Sequence, residues 1–452
     1  MFTVNELSAI FSKGRGAAHD AIPIKSVMTD TRVEKKQSLF IPLLGENHDA
    51  HGFLMEAIKK GAVAALWQKD HDLPREIPTE FPVFFVEDTL QALQETSSFY
   101  LRKVNPTVIG ITGSNGKTTT KDLTASVLQV KYRTHKTAGN FNNHVGMPLT
   151  ILSMPLDTEV AVLEMGMSGA GEISLLSKLA EPRHVVITNI GESHIEYLGT
   201  REGIAKAKLE ILEGWGGCSF IYDGDEPLLS DYYKTPGALA CGFSSSRNDV
   251  VITDVVLEEN RSLFTIGSQR YELPVSGKHN VKNASYIIAL AAKMGLTSAE
   301  IQAGFQQLQM SGMRYEKHVG KEGSLIINDA YNASPTSMKA TIEMIIQLTS
   351  KKNKILILGD MFELGSHADQ LHKEVSSVIT SEIDAVYTIG SHAGQILEGI
   401  KENNTEIELK HFKEKSSLGQ HVSQQLSADT VVLIKASRGM KLEALLNDLL
   451  NE

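Results

Sequence analysis

The sequence predicts an α/β protein of three domains, and three observations carry that reading. The chain has 452 residues, room for about three units of ~150 residues each. A glycine-rich turn, Gly110-Ile111-Thr112-Gly113-Ser114-Asn115-Gly116-Lys117-Thr118-Thr119, separates the apolar pair Val108-Ile109 from a helical pattern over 121–128. The last third alternates short apolar runs with helical stretches, the rhythm of βαβ units in a parallel sheet. The divisions fall at 1–105, a small N-terminal α/β domain, at 106–312, a central P-loop-type mononucleotide-binding α/β domain, and at 313–452, a C-terminal Rossmann-like α/β domain.

In the first part, 38–45 reads as a strand ending in a glycine turn. The amphipathic run 53–61 reads as a helix stopped by Gly61. Runs 62–67 and 82–86 are further strands, and a helical stretch over 88–103 leads to Asn105-Pro106, where a boundary is expected. In the second part, 160–166 is a buried strand with an acid, Glu164, at its carboxyl end. Residues 185–190 form another, followed by Gly191-Glu192-Ser193-His194. Residues 250–275 alternate like antiparallel strands, and 280–294 is an apolar helix. In the third part, strands fall at 325–329, 354–360, 385–390 and 431–435. No Gly-x-Gly-x-x-Gly fingerprint accompanies them, so dinucleotide binding by that route is not expected.

Composition is that of a soluble globular chain, with 42% hydrophobic and 22% charged residues. A net charge of -10 speaks against a nucleic-acid surface. The two cysteines, Cys218 and Cys241, belong to no metal-binding spacing and are expected as buried small hydrophobes in a reducing compartment. The N-terminus lacks the charged and apolar regions of a signal peptide, and no run approaches the ~20 apolar residues of a membrane span. A cytoplasmic protein without membrane insertion is the expectation.

The chemistry gathers at strand ends, where open α/β sheets place their ligands. In the glycine-rich turn, backbone N–H groups and a helix start suit phosphate oxygens. Lys117 would neutralise terminal phosphates and the Thr118 hydroxyl would ligate Mg²⁺. The general P-loop pattern fails at Ile111, where it wants glycine; a tighter Gly-x-x-Gly-Lys-Thr stands instead. Thr118, Glu164 and His194 each follow a strand and could together hold Mg²⁺ against a β/γ-phosphate. A solvated strand-end acid and a satisfied loop histidine are the competing readings for the last two. Arg314, just past the second domain, could reach a transferring phosphoryl group as domains close; a surface arginine is its rival. Asp329-Ala330-Tyr331-Asn332-Ala333-Ser334-Pro335 and Lys435-Ala436-Ser437-Arg438-Gly439 are strand-end loops suited to ligand contact. These residues alone point to a multidomain ATP-dependent enzyme with a cleft between domains.

The ordered set of motifs resembles the Mur ligase family, the ATP-dependent amide-forming enzymes of peptidoglycan precursor synthesis. It comprises 112–119, Glu164-Met165-Gly166 with Gly171-Glu172-Ile173, Thr188-Asn189-Ile190 with His194, 277–284, Gly312-Met313-Arg314, 328–335 and 435–438. Each is weak alone, but together they run in family order over nearly the whole chain. Within the family, 139–149, the Tyr331-Asn332-Ala333-Ser334-Pro335 turn and Leu358-Gly359-Asp360-Met361-Phe362-Glu363-Leu364-Gly365 resemble the branch that adds D-alanyl-D-alanine to a UDP-N-acetylmuramoyl-tripeptide. The Asp-Asn-Pro-Arg motif of the tripeptide-forming branch is missing. Asp30-Thr31-Arg32 matches the family's Asp-Ser-Arg with Thr for Ser, and Lys435-Ala436-Ser437 its Lys-Gly-Ser.

The resemblance implies ATP and Mg²⁺, two ions of it, as cofactors, and UDP-N-acetylmuramoyl-tripeptide and D-alanyl-D-alanine as substrates of a monomer. It implies nucleotide contacts from Gly113, Ser114, Asn115, Gly116, Lys117, Thr118, Thr119, His279, Asn280, Asn283, Arg314 and Asp329. Thr31 and Arg32 would contact UDP, and Asn140, Asn142 and Asn143 would face the muramoyl-peptide. Tyr331, Asn332, Lys435, Ser437 and Arg438 would serve the substrates in the third domain. Metal ligation falls to Thr118, Glu164, His194 and a carbamylated Lys208, and catalysis to Lys117, Lys208, His194 and Arg314. Lys206 competes with Lys208 for the carbamate. The tripeptide-forming ligase and folylpolyglutamate synthase are the nearest rivals; the folate enzyme should lack the N-terminal UDP-binding domain. A nucleotide-dependent switch without ligase activity is disfavoured by the adenine and third-domain motifs.

Overall fold

The computed structural model describes residues 1–45, 48–402 and 406–451. It contains three main sheets in chain order, one for each domain.

The N-terminal sheet has five strands in the order Gly14–Arg15, Val83–Val86, Ala62–Gln68, Ser38–Phe40, Ser26–Met28. All pairs are parallel except the first. The strand expected over 38–45 stops at Phe40, because Pro42 has no N–H to continue a ladder. The helix Thr89–Val104 is capped by Asp88, which accepts from Gln91 N–H at 2.7 Å, and ends at Asn105 in left-handed backbone (φ 54°). This helix packs against helices Gly146–Leu152 and Glu172–Ala180 of the central domain. The Tyr100 hydroxyl donates to Met154 O at 2.6 Å across that contact. Val4, Leu7, Leu93, Met147, Ile151 and Leu176 share one apolar core. Burial of such side chains stabilises the joint by about 1.5–3 kcal/mol each.

The central sheet has nine strands. Thr107–Thr112 lies third from one edge, parallel to Val160–Glu164 on one side and His184–Ile187 on the other. From this strand the chain first winds to one side, through Thr134–Lys136 and Val160–Glu164, then crosses to His184–Ile187. Thr112 therefore ends at a topological switch point, where a crevice opens between oppositely directed crossovers. Strands Val250–Leu257, Ser262–Ile266 and Gln269–Leu273 are antiparallel, as their alternation predicts. Helix Lys117–Leu128 is buried on every residue from Thr118 onward, between the sheet and helix Lys278–Lys293.

The third sheet runs Glu316–Val319, Leu325–Asn328, Thr430–Lys435, Asn353–Gly359, Ala385–Ile389, Glu408–Phe412, parallel but for the first pair. The two strands absent from the sequence reading are its edges. Edge strands face water and need no apolar run: Glu408, Lys410 and His411 are exposed, as are Lys317 and Val319.

One expectation is corrected. Cys241 is buried, but Cys218 is exposed, because it sits in the Gly216-Gly217-Cys218 turn before strand Ser219–Asp223 rather than inside it. Among the described residues no helix is long and apolar enough to cross a membrane.

Candidate active site

The glycine-rich turn is held from below by the loop after the neighbouring strand. Ser114 N–H donates to Asn189 O at 3.0 Å, and Asn115 N–H to Asn189 Oδ1 at 2.9 Å. Thr188 Oγ1 donates to Asn115 O at 2.6 Å, and Gly191 N–H to Ser114 Oγ at 2.8 Å. A Cβ on Gly113 (φ 153°) would lie 1.8 Å from Thr188 Oγ1, so only glycine fits. Gly116 (φ 78°) packs its bare Cα against the Asn283 side chain. The helix begins at Lys117, directly after the turn, and its first N–H groups point into the crevice. Lys117 is half-buried and donates to Gly113 O at 2.8 Å. Burial lowers its pKa, while Glu164 acts in the opposite direction.

Above the turn lies a cleft of about 320 Å³ between the central and third domains. Its walls include Asn115, Lys117, Thr118, Thr119, His279, Asn280 and Asn283 from one side, and Arg314, Asp329, Tyr331, Asn332 and Lys435 from the other. The predicted nucleotide residues are thus brought together. The Arg314 guanidinium stacks on the Tyr331 ring, 4.3 Å from its centroid, a favourable cation–π contact. Asp329 is fixed by Tyr315 N–H at 3.2 Å, the Thr341 hydroxyl at 2.9 Å and an ion pair with the buried Lys435. Lys435 is therefore a strut for Asp329 at this wall. Asp223 also lines the cleft, paired with Lys282 at 2.6 Å; neither was singled out from sequence.

The predicted metal donors divide. Thr118 Oγ1 donates to Glu164 Oε2 at 2.9 Å, and Asn142 Nδ2 to Glu164 Oε1 at 2.8 Å, with Glu164 only 2% exposed. His194 is set on a second cavity of about 190 Å³, with Ser193, Asn332, Phe362, Glu363, Ser437 and Arg438. Its Nδ1 meets the Glu363 carboxylate of the third domain, leaving Nε2 available. Glu363 was quoted from sequence only within a branch motif, without a role. Its hydrogen bond to His194 holds its carboxyl below the usual range. Lys208 is 1% exposed on helix Arg201–Leu209, and among the described residues no hydrogen bond or ion pair is found at its Nζ. Burial, reinforced by the nearby Lys117 charge, pushes its pKa well below that of a free lysine. Lys206 is exposed.

The remaining residues take mixed places. Arg32 is 89% exposed and clasped by Asp30, with Nη2 to Oδ2 at 2.6 Å; the Arg32 hydrogen bond pulls the Asp30 carboxyl to about 2. Thr31 is buried and its carbonyl accepts from Lys60. Asn143 Oδ1 accepts from Gly146 N–H at 2.8 Å and so caps the following helix. Asn140 is exposed. Ser437 Oγ accepts from Phe362 N–H at 2.8 Å, and Arg438 pairs with Glu443 at 2.8 Å. Asp360 is consumed structurally, accepting from Ser391, His392 and Ala393 N–H at 2.7–2.9 Å.

Comparison with known proteins adds independent findings. The Mur ligase middle domain matches residues 111–291, and the Mur ligase, glutamate ligase domain matches 313–438. The UDP-N-acetylmuramoyl-tripeptide–D-alanyl-D-alanine ligase of Bacillus subtilis (strain 168) is 47% identical over 435 residues, covering 94% of this chain and 93% of that one. A crystal structure of MurF from Acinetobacter baumannii superposes with a TM-score of 0.86 at 28% identity, covering 99% and 98% of the two chains. MurF ligase from Thermotoga maritima in complex with ADP superposes with a TM-score of 0.82 at 26% identity, covering 94% and 96%.

Proposed function

The chain belongs to the Mur ligase family, and from that premise we infer an ATP-dependent ligase that joins D-alanyl-D-alanine to UDP-N-acetylmuramoyl-tripeptide. The product is the UDP-linked pentapeptide of peptidoglycan precursor synthesis, which ties the enzyme to cell wall biogenesis, cell shape, cell division and the cell cycle. The observation that carries the chemistry is the cleft in which the phosphate loop of one domain faces Arg314 and the Asp329–Lys435 pair of another.

The reaction proceeds in two transfers. The terminal carboxylate oxygen of the tripeptide attacks the γ-phosphorus of ATP, and the bond to the β-phosphate oxygen breaks to release ADP. The free amine of the dipeptide then attacks the acyl carbon, loses a proton, and phosphate leaves with the bonding electrons. Carboxylate oxygen is a poor leaving group at neutral pH, and phosphorylation makes it a good one. The protein's work is positioning and charge neutralisation. Lys117 and the backbone N–H groups around Gly116 hold the β/γ-phosphates. Arg314 adds a cation from the third domain at the transferring group. His279, Asn280 and Asn283, all on the cleft wall, are assigned to the adenine, Asn283 packing its side chain against Gly116.

The second cavity, between His194 and the 435–439 loop, is assigned to D-alanyl-D-alanine, with Glu363 toward the ammonium and Arg438 toward the carboxylate. Thr31 and Arg32 are assigned to the UDP moiety, and Asn140, Asn142 and Asn143 to the muramoyl-peptide. The oxygen donors Thr118 and Glu164 fit Mg²⁺, and His194, with Nδ1 held by a carboxylate, presents Nε2 as ligating histidines do. Bound there, Mg²⁺ would supply charge neutralisation at the phosphate oxygens. A carbamate on Lys208 would add an anionic oxygen pair for a second ion. The functional units are taken as 1–105, 106–312 and 313–452, in a cytoplasmic monomer.

Phosphate release measured with ATP, UDP-tripeptide and dipeptide, each omitted in turn, tests the reading. Turnover should need all three. Single D-alanine working as well as the dipeptide would remove the assignment to this branch.

A further inference from the structure

Between the last central helix, Ser298–Gln306, and the first strand of the third domain, Glu316–Val319, the chain crosses the cleft wall with Arg314 in it. Both flanks of Arg314 are tied down. Upstream, Ser311 N–H and Oγ both donate to Asp122 Oδ2, at 3.0 and 2.7 Å. Asp122 belongs to the helix that starts at Lys117, and its side chain is fully buried. Its other oxygen is held by Lys136 at 2.7 Å and approached by Lys121 at 3.5 Å. Immediately before Arg314, Met313 N–H donates to Glu316 at 3.1 Å, and immediately after it Tyr315 N–H donates to Asp329 at 3.2 Å. Met313 (φ 57°) and Tyr315 (φ 52°), the residues on either side of Arg314, are both in left-handed backbone. Side chains of that size rarely adopt this conformation unless their surroundings impose it.

We propose that Asp122 is a positioning residue that clamps the interdomain linker at Ser311 to the phosphate-loop helix, and so aims Arg314 at the transferring phosphoryl group. The argument is mechanical. Lys117 and Asp122 stand on one helix, about one and a half turns apart. The linker three residues before Arg314 is bonded twice to that helix. Whatever fixes the phosphate loop therefore also fixes the origin of the segment that carries Arg314. The left-handed residues on either side turn the chain so that the guanidinium lies over Tyr331 in the cleft. With the clamp released, the linker can relax those two residues and swing Arg314 away, leaving the nucleotide cradle intact.

The inference rests on the phosphoryl-transfer role of Arg314, and a double-mutant cycle separates the two. The full-length enzyme would be made as Ser311→Ala, Asp122→Asn, Arg314→Ala and the pairs with Arg314→Ala. Turnover, ADP affinity and thermal midpoint are read for each. Ser311→Ala should lower kcat about tenfold, with ADP affinity and midpoint unchanged, and should change kcat less than about twofold on the Arg314→Ala background. Asp122→Asn should do the same with a larger drop; if its lost counter-charge unfolds the protein, Ser311→Ala still decides. A silent Ser311→Ala, or an equal loss with and without Arg314, would overturn the clamp while leaving Arg314 in place. An Arg314→Ala enzyme with near wild-type turnover would remove the Arg314 reading and the clamp with it.

Discussion

The Ser334 hydroxyl donates to Asn115 Oδ1 at 2.9 Å, so the helix start of the third domain rests directly on the phosphate loop of the central one. Thr336 Oγ1 adds a bond to Glu192 Oε2 at 2.7 Å, and His194 meets Glu363. These three contacts run along one side of the crevice at the switch point. They bring the loop that must bind phosphate and the loops that must bind substrate within side-chain reach. Closure is therefore part of the site's construction, since neither cavity has its full wall from one domain alone.

Lys117→Ala should abolish ligation and leave the fold intact. The side chain is half-buried, and among the described residues its hydrogen bonds go to its own loop carbonyls. Losing one positioned cation from a developing phosphate charge costs about 3 kcal/mol or more of barrier, a factor of about a hundred or more. Initial rates at saturating ATP, beside far-UV circular dichroism, check both halves. Turnover near wild type would dismiss the phosphate-loop assignment.

Gly113→Ala should lose nucleotide binding and stability together. The added methyl would meet Thr188 Oγ1 at 1.8 Å, and that hydroxyl is bonded to Asn115 O. Relief requires moving either the loop or the strand end beneath it, at a cost on the order of 3 kcal/mol. Thermal melts with and without ADP should show a lower midpoint and a much smaller ADP-induced rise. An unchanged ADP response would mean that the loop geometry is not what binds the nucleotide.

The loop was legible in the sequence because its chemistry is local: glycines, a lysine and a hydroxyl on one strand-to-helix turn. Glu164 was read from its place at a strand end and Lys208 from the family resemblance; both are buried in the structure, while Lys206 is exposed. Glu363, Asp122 and Ser311 were not legible, because each acquires its partner only when distant segments meet. Glu363 faces a histidine of another domain, and Asp122 holds a linker 189 residues away. Asn143, read as a substrate contact, also uses its oxygen to hold the start of the next helix, a role no local pattern announced. The strands Glu316–Val319 and Glu408–Phe412 were missed for the reason that makes them edges, a water-facing side without an apolar pattern.

His372 should make the third domain acid-labile. It is fully buried; Nδ1 faces Ala368 O at 2.7 Å, and Nε2 accepts from Met361 N–H at 2.9 Å. An amide can only donate, so the fold requires neutral imidazole with its proton on Nδ1. Burial lowers the pKa, with His392 adding to the effect and the Ala368 carbonyl, Asp360 and Asp369 opposing it. The unfolded chain then binds more protons, so this contribution is complete above the unfolded value of about 6.5 and is lost as pH falls below it toward the folded pKa. His372→Gln should lower stability at pH 7.5 by about 1–3 kcal/mol and flatten the loss between pH 6.5 and 5. Parallel pH profiles for the two proteins would show that His372 does not carry the effect.

Lys208 should carry a carbamate. A lysine at 1% exposure, without a hydrogen bond or carboxylate partner among the described residues and beside the Lys117 charge, is unfavourable as an ammonium. Burial therefore favours the neutral amine, whose lone pair adds to CO₂: an N–C bond forms, one proton leaves, and the side chain changes from cation-prone to anionic. The new anion would lie near Lys117 and beside the place assigned to metal, where an ammonium would repel it. Lys206, two residues earlier on the opposite side of the helix and exposed, has no such pressure. Lys208→Ala should lose about a hundredfold or more in kcat and regain part of it with a small carboxylic acid, while Lys206→Ala stays active. Electron density for Lys208 in a crystal with Mg·ATP should show the added carboxylate. An unmodified amine in that complex, or full activity of Lys208→Ala, would end the assignment.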